Sequence, residues 1–296
     1  MEDRVADLRA RWTPEATAAA VAFLESRPTD LDLPTMEQNG ETWLDLRGLR
    51  ISETQVDRAL LRHINLRWAV FSDVGFKNAR FVNCNLSQVQ FTACYLRRAQ
   101  FEKCDIVNSR FESCDFSQAS IADSRIDFAS FRNCEIRLDA IHFPGDATPR
   151  AMVRVCRNLK LNAMSMGNFA DAGELTYLEK KYERQAHWRE GRRGRWLGSL
   201  ALAALWGYGE KPWRLALVMA FNIVFFGTLL HLVDPLPGKT WWEHVYFSAI
   251  TYLTVGYGDL APHSVLAQVL SVVCAASGIA TFGMLIASVT KKVMYR

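Results

Sequence analysis

Large apolar residues recur at every fifth position through the middle of the chain. From Leu61 to Ile136 the large residue recurs sixteen times without a break, and a small or thin residue precedes each one by two positions, with Ile64 as the bulkiest exception. The other three positions of each group of five are mostly polar. A period of five matches neither an α-helix, with about 3.6 residues per turn, nor a strand, with about two. The pattern therefore predicts a repeat architecture in which one short unit stacks many times.

The pentads resemble those of pentapeptide-repeat proteins, which wind a right-handed, four-sided (quadrilateral) β-helix. The resemblance implies four pentads per coil, with the large and the small residue pointing inward. The sixteen pentads then form four coils, a column about 19 Å tall at about 4.8 Å per rung. Leu46 and Ile51 continue the spacing more weakly towards the N-terminus. We therefore assign residues 46–143 to the β-helix and residues 1–45, where Thr13 and Pro14 begin a predicted helix, to an N-terminal helical cap.

Five cysteines occupy the small position of the pentads, which raises the question of a metal or redox site. A coil of twenty residues stacks Cys84 over Cys104, and Cys94 over Cys114 and Cys134. We interpret the stack as a core ladder of small hydrophobic side chains. A metal site needs convergent ligands at short spacings, and the six histidines are scattered. A redox-sensing ladder has no positive support in the sequence.

The charge of the column bears on a second function that the resemblance implies. Some pentapeptide-repeat proteins mimic DNA and inhibit type II topoisomerases, which requires an acidic surface. Residues 59–140 hold eleven Lys and Arg against nine Asp and Glu, and the formal net charge of the chain is only +4. We therefore expect no nucleic-acid partner, and a scaffold or assembly column fits better.

Residues 147–192 show helical periodicity and predict a hairpin linker between the column and a membrane. An apolar run of nine residues follows, from Leu197 to Leu205, which is too short to span a bilayer because a spanning helix needs about 20 residues. We predict that residues 193–210 form an amphipathic helix in the inner interface. The basic side chains before it would contact anionic lipids: Arg189, Arg192, Arg193 and Arg195. The alternative is an ordinary surface helix with solvated arginines.

Two longer apolar runs, residues 215–233 and 265–289, are each long enough to cross a bilayer. The loop between them holds Lys239 as its only Lys or Arg, whereas five basic residues flank the outer ends of the runs: Lys211, Arg214, Lys291, Lys292 and Arg296. Because cytoplasmic segments carry an excess of Lys and Arg, both termini are expected in the cytosol. No secretory leader is visible at the N-terminus. We therefore predict a multi-pass protein of the inner (plasma) membrane.

The loop between the runs contains the hexapeptide Thr254-Val255-Gly256-Tyr257-Gly258-Asp259. Its two glycines permit backbone angles that a Cβ disfavours, so that successive carbonyl groups can point the same way. Four such loops around an axis would replace the hydration shell of K⁺ with rings of carbonyl oxygens. Thr240 and Glu243 have the spacing of a capping box and predict a pore helix that ends near Thr251. The C-terminal end of that helix carries partial negative charge, which favours a cation.

The hexapeptide resembles the selectivity filter of potassium channels, and the similarity to two-transmembrane, bacterial-type channels covers residues 211–296. It implies an all-α pore with a re-entrant pore loop, a homotetramer, and permeant K⁺ as the only ion, with no cofactor. It assigns ion coordination to Thr254, Val255, Gly256, Tyr257 and Gly258, and support of the filter to Asp259, Tyr246 and Phe247. In one departure, Ile250 stands where some of these channels place a glutamate that pairs with the aspartate.

The second run contains Ser277–Gly283, which is similar to the inner-helix segment around the hinge glycine of the same family. The resemblance makes Gly278 the candidate gating hinge, and the alternative is that Gly278 and Gly283 let helices pack closely. Four residues near one helical face are predicted to line the cavity or the lower gate: Ile279, Phe282, Ile286 and Thr290. In the first run, we interpret Asn222 as a packing hydrogen-bonder and His231 as an interfacial side chain.

Taken together, the patterns predict a multidomain membrane protein with a β-helix, a helical linker and a two-span pore. The predicted function is a potassium-selective, homotetrameric channel whose cytosolic column serves assembly or gating. Two alternatives are a non-selective cation channel and a membrane-tethered scaffold that binds a cytosolic partner through the β-helix. We predict no enzyme, because no nucleophile, base and orienting group occur together in the sequence, nor does a phosphate-binding loop.

Overall fold

The computed structural model describes residues 2–26, 33–38, 40–234 and 240–294. The chain folds into two compact units, Met1–Gly191 and Arg192–Arg296, and each is described by itself. Lys239 and Arg296, which contribute to the predicted orientation of the spans, lie outside the described residues.

The first unit begins with two helices and a β-hairpin. Helix α1 spans Glu2–Ala10 and helix α2 spans Pro14–Ser26, followed by the antiparallel strands β1, Thr35–Gln38, and β2, Glu41–Asp45. Thr13 caps α2 as predicted, because its Oγ1 accepts a hydrogen bond from the amide of Ala16 at 3.2 Å. Helix α1 was not predicted from the sequence.

A four-sided β-solenoid follows, and it confirms the repeat architecture. Its strands are β3 (Arg50–Gln55), β4 (Leu60–Arg62), β5 (Ile64–Asn65), β6 (Val70–Gly75), β7 (Arg80–Val82), β8 (Gln90–Thr92), β9 (Gln100–Glu102), β10 (Arg110–Glu112), β11 (Ser120–Ala122), β12 (Ser130–Arg132) and β13 (Ile141–His142). Strands that are neighbours in a sheet pair in parallel at a separation of twenty residues, as Phe71 does with Phe91. Two sides are five-stranded sheets, and bridges such as Asn65 to Asn85 and Gly75 to Tyr95 complete the other two.

The solenoid has about five turns, so the expectation of four coils was too low. Leu46, Leu49, Ile51 and Val56 are all buried, and β3 pairs with β6 over five residue pairs. The count of four rested on the unbroken pentads from Leu61, whereas the first coil lies in residues 46–60, which the sequence assigned to the β-helix on a weaker spacing.

The interior of the solenoid is a set of vertical stacks of like residues. The rings of Phe71, Phe91, Phe111 and Phe131 lie 5.0, 5.0 and 5.1 Å apart between successive centroids. The five cysteines of the small position are all buried and free, in keeping with a core ladder. No group of three or more metal-ligating side chains occurs among the described residues.

Both ends of the solenoid are covered by helices of its own chain. At the C-terminal end lie α3, Pro149–Ser165, and α4, Phe169–Arg189. The side-chain oxygens of Asn158 and Asn162 accept from the amides of Phe131 and Cys134, each at 2.9 Å, and the amide nitrogen of Asn162 donates to the Cys134 carbonyl at 2.8 Å. These amide groups therefore occupy the hydrogen-bonding edge of the last coil, where a further strand would pair.

Among its described residues, the second unit has four α-helices. They are α5 (Arg193–Leu205), α6 (Pro212–Val233), α7 (Trp241–Tyr252) and α8 (Val265–Met294), with a short 3₁₀ turn at Gly207–Gly209 before α6. Helices α6 and α8 are long and apolar enough to cross a membrane, and only 17% and 11% of their most apolar segments are buried within the chain. The core helix of a soluble protein would be mostly buried, so the two predicted spans are the membrane candidates of the described chain.

Candidate functional site

Helix α7 lies between α6 and α8 and leads into the hexapeptide. The predicted capping box at its start is formed, and the backbone amide of Thr240 donates to Oε2 of Glu243 at 2.7 Å. The helix ends at Tyr252, one residue beyond the predicted end. Because it buries side chains towards both of the long helices, α7 is the element that positions the loop after it.

Two glycines bring α7 unusually close to its neighbours. A Cβ built on Gly227 of α6 would lie 2.6 Å from the Cα of Val245, and one built on Gly278 of α8 would overlap the carbonyl oxygen of Tyr252 and lie 2.8 Å from its carbonyl carbon. A Cβ on Gly283 would meet no atom within 4 Å. Close packing is therefore an observed role of Gly278, and its role as a gating hinge stays a prediction.

The turn after α7 satisfies the end of the helix with amides of the hexapeptide. The carbonyl of Ile250 accepts from the amides of Val255 and Gly256 at 2.8 and 3.2 Å, and the amide of Thr254 donates to Thr251 at 3.1 Å. Among the described residues, the carbonyls of residues 254–258 accept no hydrogen bond. Five successive carbonyl groups are therefore left available to an external cation.

The backbone of the hexapeptide uses its glycines in the left-handed region. Gly256 and Gly258 have φ values of 56° and 76°, and Thr254 also has a positive φ, 58°. The sequence did not indicate the value at Thr254, because a β-branched residue rarely adopts it. Its Oγ1 donates to the Leu253 carbonyl at 2.7 Å. The side chains of Val255 and Tyr257 are about half and three-quarters exposed in the single chain.

The predicted supporting residues lie beside the hexapeptide. Tyr246 and Phe247 are half-buried on α7, and the side chain of Tyr246 lies near the carboxylate of Asp259. Ile250 is buried and supports the loop through its backbone carbonyl rather than its side chain. The predicted cavity residues share an exposed face of α8 in the single chain: Ile279, Phe282, Ile286 and Thr290.

Sequence reasoning missed a polar contact at the base of the site. The hydroxyl of Tyr252 lies 3.2 Å from the side-chain nitrogen of Asn222 on α6 and 2.7 Å from Oγ1 of Thr281 on α8. The interpretation of Asn222 as a packing hydrogen-bonder is thereby confirmed. Nothing in the sequence pointed to Tyr252, because one tyrosine on an apolar helix face has no periodic pattern.

The two ends of the unit carry further polar contacts. Nδ1 of His231 lies 3.3 Å from Nδ1 of the buried His244, so His231 contacts α7. At the other end, the indole nitrogen of Trp206 donates to the hydroxyl of Ser288. The segment that follows α5 is thereby joined to the end of α8 where Ile286 lies.

Helix α5 combines exposed cations with exposed leucines. Arg192, Arg193 and Arg195 are exposed at its start. Four leucines along it are between 40% and 58% exposed: Leu197, Leu200, Leu202 and Leu205. Such a surface suits a membrane interface.

Comparisons with known proteins match the two units separately. Residues 218–295 match the family described as ion channel. Residues 50–133 match pentapeptide repeats, in eight copies over three overlapping stretches. Both matches agree with the geometry of the respective units.

Two curated relatives of the chain are named as potassium channels. "Probable potassium channel protein 2" of Methanocaldococcus jannaschii is 34% identical over 75 residues, 25% of this chain and 22% of that protein. YugO of Bacillus subtilis (strain 168), provisionally named a potassium channel protein, is 29% identical over 65 residues, 22% of this chain and 20% of that protein. The chain thus spans about a fifth of the length of the curated relatives it matches.

Among solved structures, the chain is similar to a pentapeptide-repeat protein, Rfr23, from the cyanobacterium Cyanothece 51142. The two are 17% identical, with a TM-score of 0.21, and the match covers 34% of this chain and 81% of that one.

Proposed function

We propose that this chain, which joins pentapeptide repeats to an ion-channel domain, forms a potassium-selective membrane channel. The observation that carries the proposal is the row of carbonyls at residues 254–258, which accept no hydrogen bond from the described residues. They follow a capped helix and lie between two helices of span length. A backbone of this kind is tolerated at membrane depth where it lines a water-filled path.

Four copies of the chain would complete the ion path. Rings of carbonyls from residues 254–258 would replace the hydration shell of K⁺, with several ions held weakly in file. Thr254 would contribute the innermost ring, and Asp259, with Tyr246 and Phe247 beside it, would brace the outer mouth. The exposed face of α8 that carries Ile279 and Phe282 would line the cavity below.

The solenoid would lie in the cytosol, with both chain termini, beneath the plasma membrane. Because its two ends are covered by α2 and α3, a partner or a neighbouring copy would contact its sides. We infer a role in assembly or gating. The contact between Trp206 and Ser288 gives a route from α5, held at anionic lipid by Arg192, Arg193 and Arg195 and by Arg189 before it, to the inner end of α8.

The reversal potential of the purified full-length protein in a planar bilayer, with K⁺ on one side and Na⁺ on the other, tests the proposal. We expect a value near the K⁺ equilibrium potential for the wild type. Gly256→Ala should bring the K⁺ to Na⁺ permeability ratio to about one or abolish the current, because alanine strains a backbone with positive φ in the ring of carbonyls.

Gly145→Ala is the matched control, because a Cβ there meets open space and its φ is not positive. It should leave the reversal potential unchanged. A robust wild-type current that reverses near zero would instead indicate a non-selective cation channel. A wild type that carries no current while its solenoid captures a cytosolic partner would favour the scaffold.

A further inference from the structure

Hydrogen bonds between three side chains, Asn222, Tyr252 and Thr281, connect the last turn of α7 to both long helices. Asn222 can only donate through its side-chain nitrogen, so the hydroxyl oxygen of Tyr252 accepts. The hydroxyl of Tyr252 then donates its hydrogen bond to Oγ1 of Thr281 at 2.7 Å. Oγ1 of Thr281 in turn donates to the carbonyl of Ser277 at 2.8 Å. The hydrogen bonds run in one direction, and each hydroxyl proton has an acceptor.

The surroundings make this chain of hydrogen bonds hard to replace. Tyr252 is only 1% exposed, and its partners lie inside helices with mean hydropathy above 2 over their most apolar segments. In a medium without water, a polar group that loses its partner stays unsatisfied. Gly278 allows the backbone of Tyr252 to approach α8, which brings the hydroxyl and Thr281 into reach.

The hexapeptide depends on α7 for its own position. The backbone hydrogen bonds that hold the start of the loop all return to the last two turns of α7, to Ala249, Ile250 and Thr251. The side chain of Ile250 cannot donate or accept. The contacts that hold the last turn of α7 therefore also set the lateral position of the loop. Tyr252 in that turn is hydrogen-bonded to α6 through Asn222 and to α8 through Thr281.

We propose that the hydroxyl of Tyr252 is a positioning group for ion selectivity. By holding the end of α7 against α6 and α8, it sets the distance of Thr254, two residues later, from the ion path. This inference rests on the proposed potassium channel. It assigns to Tyr252, Asn222 and Thr281 a role that acts through the filter without contact with the ion.

Two pairs of variants test the proposal in the full-length protein, by the K⁺ to Na⁺ permeability ratio obtained from the reversal potential in planar bilayers. We expect Tyr252→Phe to lower the ratio by about threefold or more, because it removes the hydroxyl that donates to Thr281 and leaves the side-chain nitrogen of Asn222 without this acceptor. Thr281→Val should also lower it, whereas Thr281→Ser, which keeps Oγ1, should retain the wild-type ratio. The double variant Tyr252→Phe/Thr281→Val should match Tyr252→Phe alone, since the residues act as one unit.

Tyr208→Phe is the matched control, because the hydroxyl of Tyr208 lies 2.7 Å from Oγ of Ser199 before the first span. It should leave the ratio at the wild-type value. Size-exclusion chromatography in detergent separates a change in selectivity from a loss of assembly. If Tyr252→Phe fails to assemble, the permeability ratios of Thr281→Val and Thr281→Ser test the proposal in its place.

Wild-type ratios in both Tyr252→Phe and Thr281→Val would overturn this inference and leave the potassium channel intact. An equal loss in Tyr208→Phe would also overturn it. A wild-type ratio near one would instead remove the proposed function, and this inference with it.

Discussion

The solenoid and the second unit, Arg192–Arg296, here called the pore unit, differ in how much of their apolar surface one chain buries. In the solenoid, one chain closes its own core, and Phe71, Phe91 and Phe111 are at most 1% exposed. In the pore unit, Leu232 and Val265 remain 73% and 77% exposed, on helices long enough to span a bilayer. The solenoid is thus complete within one chain. Under the proposed function, lipid and three further copies complete the pore unit.

Gly278→Ala should break the pore unit while leaving the solenoid folded, the largest effect that we predict. The added methyl group would overlap the Tyr252 carbonyl. Because the nearest atoms belong to the backbone of Tyr252, no flexible side chain can move away to relieve the overlap. We expect the variant to lose tetramers in size-exclusion chromatography and K⁺ flux in liposomes. Its solenoid should keep the wild-type circular dichroism of β-structure.

Gly283→Ala is the control for this substitution, because the same change on the same helix meets open space. It should assemble as the wild type does. Normal assembly of Gly278→Ala with an altered open probability would contradict the packing argument and favour the hinge.

Phe111→Ala should have the converse effect and weaken only the solenoid. The ring stacks between Phe91 and Phe131 at 5.0 and 5.1 Å, so its removal opens a cavity and lowers the free energy of unfolding by about 3–5 kcal/mol. Hydrogen exchange at the amides of the neighbouring coils measures the loss. The permeability ratio of the pore should not change.

Phe128→Ala provides the comparison, because Phe128 is 59% exposed and contacts Arg154 at 4.4 Å from the ring centroid. Its loss should cost about 1 kcal/mol or less. Equal losses for the two phenylalanines would mean that the stack is not the core of the solenoid.

The parts of the fold that repeat were predictable from the sequence. The inward positions from Leu61 to Cys134 are buried with the expected spacing and Ile136 is half-buried, because every coil repeats the same choice of large and small residue. The two apolar runs and the capping box of Thr240 and Glu243 were also found where expected. Each of these signals depends on local spacing alone.

Positions that depend on a single long-range contact were not predictable. Seventeen non-glycine residues from Glu53 to Asn133 have positive φ at intervals of five, and their identities share no type, because stacking of the coils imposes the angle. The amides of Asn158 and Asn162 pair with a coil about thirty residues earlier. Gly227 and Tyr252 acquire their roles only once three helices are packed together.

The N-terminal end of the solenoid contains a buried carboxylate that should make the first coil sensitive to acid. Asp45 is 4% exposed and accepts two guanidinium groups, from Arg11 at 2.9 Å and from Arg47 at 2.8 Å. Burial alone raises the pKa of Asp45, but the hydrogen bonds from Arg47 and Arg11 outweigh it and hold the pKa well below its usual range.

Because the pKa of Asp45 is lower in the folded state, its contribution to stability is complete above the unfolded value of about 4 and is lost as the pH falls below it. We expect the first coil to lose about 1–2 kcal/mol between about pH 6 and pH 3. Hydrogen exchange at Leu46 and Leu49, corrected for the intrinsic rate, measures this difference.

Asp45→Asn should be less stable than the wild type at neutral pH and should lose little further stability in acid. Asp127→Asn, which breaks the more exposed ion pair with Arg154 at 3.1 Å, is the control and should keep the acid sensitivity of the first coil. If Asp45→Asn lost as much stability in acid as the wild type, another group would be the cause.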